Sequence, residues 1–184
     1  MNKLIKAWKK FEEYYRSSHI LRLNEGGGTP SIQIWNEEDI KLNLYRFLLE
    51  EYPSDYVHCE VILGKYANPR VDMIITNSQA SSKNIRQNIN GNFKLYEAFT
   101  KSNYQVDIAI EIAVILSRSL IDKTYGYGKL VKNINSLSQN KLIKRKVVCF
   151  IDKISEGGFS NNNYDPIRRL ALENDVKLLG IFDN

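Results

Sequence analysis

The sequence lacks the residues and runs that several protein classes require. It contains no stretch of about 18 consecutive apolar residues, so no membrane-spanning helix is expected. Lysine and glutamate interrupt the apolar positions of the first 19 residues, unlike a secretory signal, so a cytoplasmic protein without membrane contact is expected. Cys59 and Cys149 lie in strand-like runs, and His19 and His58 have no paired spacing, which predicts reduced, buried thiols and no zinc cluster.

The size and charge of the chain narrow the possible protein classes further. A chain of 184 residues with 43% hydrophobic content can bury one sizeable core but is short for two ordinary domains. We therefore expect a single domain over 1–184, with an N-terminal helix and Gly-rich linker (1–34), a core (35–152) and a C-terminal helix and strand (153–184). The net charge of +5 permits nucleic-acid binding, because Lys and Arg neutralise phosphates, but many basic proteins bind none.

Hydrophobic periodicity predicts the order of helices and strands. An amphipathic helix over 1–17 either packs within the chain, the favoured alternative, or forms the seam of a homodimer. Asn36 is a good N-cap for a second helix with an acidic first turn. Strands are predicted at 56–64, 69–76, 104–116, 144–152 and 176–183, and helices at 125–139 and 165–174. This order predicts an α/β fold with a mixed sheet, an αβββαβ core flanked by helices.

Two further segments have a functional and a plain structural interpretation. The polar segment 77–104 is longer than an ordinary strand connection, which indicates a functional loop or a mobile insertion. Its basic residues could contact phosphates or be solvated; they are Lys83, Arg86, Lys94 and Lys101. In TYGYGK, Tyr125 and Tyr127 either stack on bases or, as we favour, belong to the core at a helix-entry turn.

One carboxylate lies in an otherwise apolar strand. In IAIEIAVI, residues 108–115, strand periodicity places Glu111 and Ala113 on the same face. If Asp72 lies on the neighbouring strand, the two carboxylates can reach one cation, which would relieve their repulsion. The alternative is that Asp72 pairs with Arg70 or another basic residue and that Glu111 lies at an exposed edge.

Three acidic positions and the element order carry a family resemblance. With Glu37 at the start of the second helix, Asp72 in RVDMII and Glu111 in IAIEI, the chain resembles the PD-(D/E)XK, or restriction-endonuclease-like, nuclease superfamily. The similarity covers roughly 35–152, and topology contributes most of it. Glu38 is the alternative to Glu37.

The resemblance implies an activity and a set of site residues. It implies an endodeoxyribonuclease dependent on Mg²⁺ or Mn²⁺, of restriction or defence type, with DNA as its partner. The implied metal ligands are Asp72, Glu111 and the backbone carbonyl of Ile112, with Glu37 as a further acidic site residue. Oxygen ligands suit Mg²⁺, which polarises a phosphoryl oxygen and lowers the pKa of an attacking water.

Ala113 departs from the pattern, because the superfamily keeps a lysine two residues after the glutamate. Three explanations stay open: migration of the amine to Lys129 or Lys132 on the next helix, deliberate inactivation, or a natural pseudonuclease that binds nucleic acid without cutting it. Lys129 is the favoured migrated lysine because the resemblance implies that a Gln or Lys immediately before the buried leucine, here Leu130, faces the site; the alternative is a solvated surface lysine. Because position 113 shares a strand face with Glu111, restoring lysine there is expected to change activity more than stability.

Overall fold

The described part of the chain forms two compact units. The computed structural model describes residues 1–17, 36–62, 70–77, 106–140, 143–154 and 164–182. The units comprise Met1–Pro53 and Ser54–Asn184. The basic positions predicted to contact phosphates, Lys83, Arg86, Lys94 and Lys101, lie outside the described residues.

The first unit contains two helices, α1 (Asn2–Ser17) and α2 (Glu37–Glu51), as the periodicity predicted. The Asn36 side chain accepts a hydrogen bond from the Asp39 N–H at 2.9 Å, and the Asp39 carboxylate accepts one from the Asn36 N–H at 3.0 Å. This capping box satisfies two amides that the start of a helix leaves free. Phe11 of α1 packs against Phe47 of α2 with ring centroids 6.5 Å apart, so the apolar stripe of α1 is buried within this unit.

The second unit contains a five-stranded mixed sheet and two helices. Its elements are β1 (Val57–Ile62), β2 (Arg70–Thr76), β3 (Val106–Ile115), α3 (Tyr127–Ser138), β4 (Lys146–Asp152), α4 (Asp165–Glu173) and β5 (Val176–Phe182), preceded by a 3-10 turn at Ser54–Tyr56. The strand order is β1-β2-β3-β4-β5. β1, β2 and β3 pair antiparallel, whereas β3, β4 and β5 pair parallel. The predicted mixed α/β sheet is therefore confirmed. Cys149 of β4 is buried as predicted, whereas Cys59 of β1 is exposed, so the prediction of a buried thiol is wrong for Cys59.

The core of this unit lies between the sheet and helices α3 and α4. Ala109 and Ala113 of β3 belong to the same buried cluster as Leu130 and Ile134 of α3. β3 is the central strand and almost all of its residues are buried, as expected when both faces of a strand are covered. The α3 face that meets the sheet therefore covers the strand that carries Glu111.

A buried carboxylate at the end of β4 ties the two helices of this unit to the sheet. The Asp152 carboxylate is fully buried and accepts hydrogen bonds from the Tyr127 hydroxyl at 3.4 Å, from the Tyr164 hydroxyl and from the Ile154 N–H at 2.8 Å. Burial and the neighbouring Asp152 carboxylate raise the pKa of Tyr164, so its hydroxyl keeps its proton as a donor. Tyr127 is a core tyrosine, as favoured from the sequence, whereas Tyr125 is exposed.

We expect Asp152→Ala to lower the free energy of unfolding by about 2–3 kcal/mol, because two buried tyrosine hydroxyls lose their acceptor. Urea unfolding followed by circular dichroism measures this change. Glu173→Ala, at an exposed position of α4, is the control and should stay within about 0.5 kcal/mol of the parent. Equal losses in both variants would contradict a structural role for the Asp152 cluster.

Candidate active site where β2 and β3 separate

The pairing of β2 with β3 ends next to the two carboxylates singled out in the sequence. The recorded register runs from Thr76 opposite Val106 to Met73 opposite Ile110. Continuing it by one residue places Asp72 opposite Glu111. At this point a side chain replaces the backbone ladder, since the Ile112 N–H donates to Oδ2 of Asp72 at 2.7 Å. The carboxylate of Asp72 is thereby held against β3.

Both backbone polar groups of Ile112 form hydrogen bonds with side chains. Its N–H bonds to Asp72, and its carbonyl oxygen accepts a hydrogen bond from Nδ2 of Asn133 on α3 at 3.3 Å. A carbonyl oxygen has two lone pairs, so this bond leaves capacity for a second partner. The Ile112 carbonyl, predicted to be a metal ligand, is therefore oriented by a buried amide from the helix above it.

Glu111 is buried beside a second acid. Its exposed fraction is 7%, and it lies on the central strand rather than at an exposed edge. Burial, the negative charge of Asp72 and a hydrogen bond with the Asp72 carboxylate together raise the pKa of Glu111 to about 9, against the opposing charges of Lys129 and Lys132. At neutral pH the two carboxyl groups therefore share a proton.

The structure also answers whether Arg70 neutralises Asp72. The Arg70 guanidinium forms an ion pair with Glu60 of β1. Glu60 lies opposite Asp72 in the β1–β2 register, between the recorded pairs Cys59–Met73 and Val61–Val71, and has a positive φ of 58°. The sequence alternative in which Arg70 pairs with Asp72 is replaced by this ion pair with Glu60.

The positive charges of the two lysines considered as substitutes for the missing amine affect the pKa of Glu111. Lys129 and Lys132 lie three residues apart on α3, and residues at this spacing share a helix face. Both lower the pKa of Glu111 through their positive charge. Lys129 is half-buried and Lys132 is exposed. The structure thus brings Asp72 and Glu111 together and places both candidate amines near enough for their charge to act on Glu111.

Ala113 has a packing role. It is fully buried in the cluster that contains Leu130 and Ile134 of α3. A lysine at this position would have to push its long side chain into a packed core and bury its charge, which destabilises a protein. The expectation that lysine at 113 affects activity more than stability stays a prediction, to which the burial of Ala113 adds an expected loss of stability.

Glu37, the remaining acidic position of the resemblance, is the first residue of α2 and belongs to the first unit. The alternative acidic residue, Glu38, forms an ion pair with Lys41 at 2.9 Å. Among the residues that the structure describes, no group of three or more His, Cys, Asp or Glu side chains is placed to hold a metal ion. The oxygen donors assembled in the second unit are therefore the two carboxylates and the Ile112 carbonyl, and a role for Glu37 stays a prediction.

Sequence reasoning missed Asn133. Its buried side chain bonds to the backbone of β3, and so it contributes to the site from the helix. The available signal was its position, three residues after Leu130 and four before Leu137, on the apolar stripe of the predicted helix. A polar residue on such a stripe indicates a buried hydrogen bond.

Comparisons with known proteins found no match for this chain. No family model matches the chain, and no curated protein or solved structure matches it either. Within the described ranges, no helix is both long and apolar enough to cross a membrane. The resemblance to the PD-(D/E)XK superfamily therefore stays a prediction that rests on the residues and topology of this chain.

The raised pKa of Glu111 predicts how stability depends on pH. An unfolded glutamate loses its proton near pH 4.5, whereas the folded pair keeps it up to about pH 9. The folded state therefore binds more protons in this window, and stability falls as pH rises from about 5 to 9, by up to about 1.4 kcal/mol per pH unit. Glu111→Gln removes this pH-dependent contribution to stability. The stability of the Glu111→Gln protein relative to the parent should therefore increase with pH.

Urea unfolding of both proteins at pH 5, 7 and 9, without divalent cations, measures the difference. Glu173→Gln changes an exposed glutamate and serves as the control for the loss of one negative charge. Parallel pH profiles for the parent and Glu111→Gln would contradict the shared proton.

Proposed function

We propose that the protein is a Mg²⁺-dependent nuclease that hydrolyses phosphodiester bonds in DNA. The observation that supports this proposal most directly is the contact between Asp72 and Glu111 inside the sheet, with the charges of Lys129 and Lys132 acting on it. Perturbed carboxyl groups with specific charged neighbours are typical of catalytic sites. The mixed α/β sheet and the element order agree with the family resemblance that implies the same activity.

The residues present fit a divalent cation. Two carboxyl groups in contact share a proton, and a cation that replaces this proton would let both of them ionise. Mg²⁺ and Mn²⁺ bind oxygen ligands, and Mg²⁺ usually keeps several waters, so Asp72, Glu111 and the Ile112 carbonyl are sufficient protein ligands. When bound, the ion would polarise a phosphoryl oxygen and lower the pKa of water.

Each side chain has a separate task in this proposal. Asp72 holds the Ile112 N–H, and Asn133 holds the Ile112 carbonyl, so the backbone beside Glu111 keeps one orientation. Lys129 is our first choice for the amine that position 113 does not supply, with Lys132 as the alternative. A positive charge already in place beside the reacting phosphate stabilises negative charge that develops during hydrolysis.

Ala113 favours a second candidate function. A chain that lacks the lysine of the motif could retain the fold and bind nucleic acid without cutting it. The charges of Lys129 and Lys132, which act on Glu111, support the nuclease over this candidate, because either lysine could supply the amine that position 113 lacks.

Plasmid cleavage in the presence of Mg²⁺ tests the proposal. We expect the parent to cut, Asp72→Asn to be inactive, and Lys129→Met to cut about 100-fold more slowly or worse, since removing one charge-stabilising group commonly costs that much. Lys132→Met measures the contribution of the second lysine. Lys177→Met, at an exposed position of β5, is the matched control and should cut like the parent.

If the parent leaves plasmid DNA intact while it still binds DNA in the same buffer, the nuclease proposal fails and the binding candidate replaces it. Cleavage that survives Asp72→Asn would also reject the proposed site.

Metal binding can be tested without any cleavage. Because a cation replaces the shared proton, titration of the parent with Mg²⁺ or Mn²⁺ at pH 7 should release about one proton per ion bound. Calorimetry in buffers with different ionisation enthalpies measures that release. Glu111→Gln should bind the ion more weakly and release no proton, and Glu173→Gln should behave like the parent. A proton release that is the same in all three proteins would contradict the metal site.

A further inference from the structure

The loop that joins β3 to α3, residues 116–126, exposes three apolar or aromatic side chains. Leu120 is 52% exposed, Ile121 89% and Tyr125 51%. Single exposed apolar residues are common on protein surfaces, but several within one short loop indicate an interaction site.

Hydrogen bonds hold the backbone of this loop in one conformation. The Ser119 hydroxyl accepts from the N–H groups of Ile121 at 3.3 Å and Asp122 at 3.2 Å. Oδ1 of Asp122 in turn accepts from the N–H groups of Thr124 at 2.9 Å and Tyr125 at 3.1 Å. The exposed side chains are therefore presented by an ordered backbone, and binding a partner would require little further ordering.

Two glycines allow the loop to fold back onto the start of α3. A Cβ atom on Gly126 would lie 2.4 Å from the Ser119 carbonyl oxygen, and one on Gly128 would lie 2.4 Å from the Leu120 carbonyl oxygen. Neither position has room for a side chain. The glycines of TYGYGK thus fix the position of Leu120 relative to the helix that carries Lys129.

The charge around the loop favours an anionic partner. Arg118 and Lys123 are exposed on either side of Leu120 and Ile121, and the Arg118 guanidinium also donates a hydrogen bond to the Ile154 carbonyl oxygen at 3.1 Å. Over residues 117–132 there are four basic side chains and one acidic side chain, and the latter, Asp122, is occupied by backbone amides. Charge of this sign complements a phosphate backbone.

The loop lies within reach of a duplex held at the candidate active site. It begins five residues after Glu111 on the same strand, a distance of about 17 Å at 3.3 Å per residue. A full turn of DNA is about 34 Å long, so the loop is about half a turn from the carboxylate pair. The same loop leads directly into α3 and its two lysines.

We propose that residues 116–126 form a wedge that inserts Leu120 and Ile121 between base pairs from the minor groove of duplex DNA. Arg118 and Lys123 contact the flanking phosphates, and Tyr125 packs against the opened step. Aliphatic side chains used in this way partly unstack a base step and bend the duplex. This inference rests on the proposed function, since it takes DNA as the ligand of the neighbouring site.

The test uses the Asp72→Asn protein, so that no cleavage occurs, and a duplex that carries 2-aminopurine at a central step. Binding is followed by anisotropy and unstacking by the rise in 2-aminopurine fluorescence. We expect Leu120→Ser combined with Ile121→Ser to weaken binding by about tenfold or more and to abolish the fluorescence rise. Lys123→Gln should weaken binding with a salt slope smaller by about one.

Leu172→Ser is the matched control, because Leu172 is 83% exposed on α4, and it should bind within about twofold of the parent. Unchanged affinity and fluorescence in the Leu120 and Ile121 variant would overturn the wedge, as would the absence of duplex binding at low salt. Binding to anionic vesicles that depends on Ile121, with DNA binding unaffected, would assign the loop to a membrane surface and also overturn it.

These readouts are independent of catalysis. If the parent does not cut plasmid DNA but the Leu120 and Ile121 variant still loses affinity and unstacking, the nuclease proposal fails and the wedge stands. If the parent cuts plasmid DNA and the Leu120 and Ile121 variant binds normally, the nuclease proposal stands and the wedge fails.

Discussion

The hydrogen bond from the Ile112 N–H to Asp72 is the interaction on which the candidate site depends. It joins β2 to β3 where the backbone pairing ends, and it draws the Asp72 carboxylate next to Glu111 in a buried part of the sheet. Ionising both acids in this arrangement costs free energy, because two negative charges would lie side by side away from water. The protein therefore keeps a proton between them or takes up a cation. Burial and this contact together raise the pKa of Glu111 and underlie the expected pH dependence and the proposed binding of a metal ion.

Helix α3 explains both the alanine at position 113 and the lysines nearby. Ala113 is small and buried, which allows the helix to pack closely on β3. The helix that covers Ala113 then supplies the positive charges of Lys129 and Lys132 and the amide of Asn133. A strand position under a packed helix holds a lysine poorly, whereas the covering helix can carry lysines at its half-buried and exposed positions. The buried alanine and the two nearby lysines are therefore compatible with one packing arrangement.

Two buried carboxylates in the same sheet have different surroundings and therefore different properties. Asp152 accepts hydrogen bonds from two tyrosine hydroxyls and one backbone amide. Glu111 instead faces another acid. Donors satisfy a carboxylate and stabilise the fold, while an adjacent carboxylate raises its pKa and leaves it able to exchange a proton for a cation.

The sequence by itself determined the helices, the strands and the mixed α/β class, because alternation, helical periodicity and the Asn36 cap depend on residues a few positions apart. It also placed Glu111 and Ala113 on one strand face. Only the tertiary structure decided that Asp72 meets Glu111, that Arg70 pairs with Glu60, that Asn133 bonds to Ile112 and that Leu120 and Ile121 are exposed. Contacts such as that between Asp72 and Ile112, 40 residues apart, depend on strand register and on packing, which local sequence patterns do not specify.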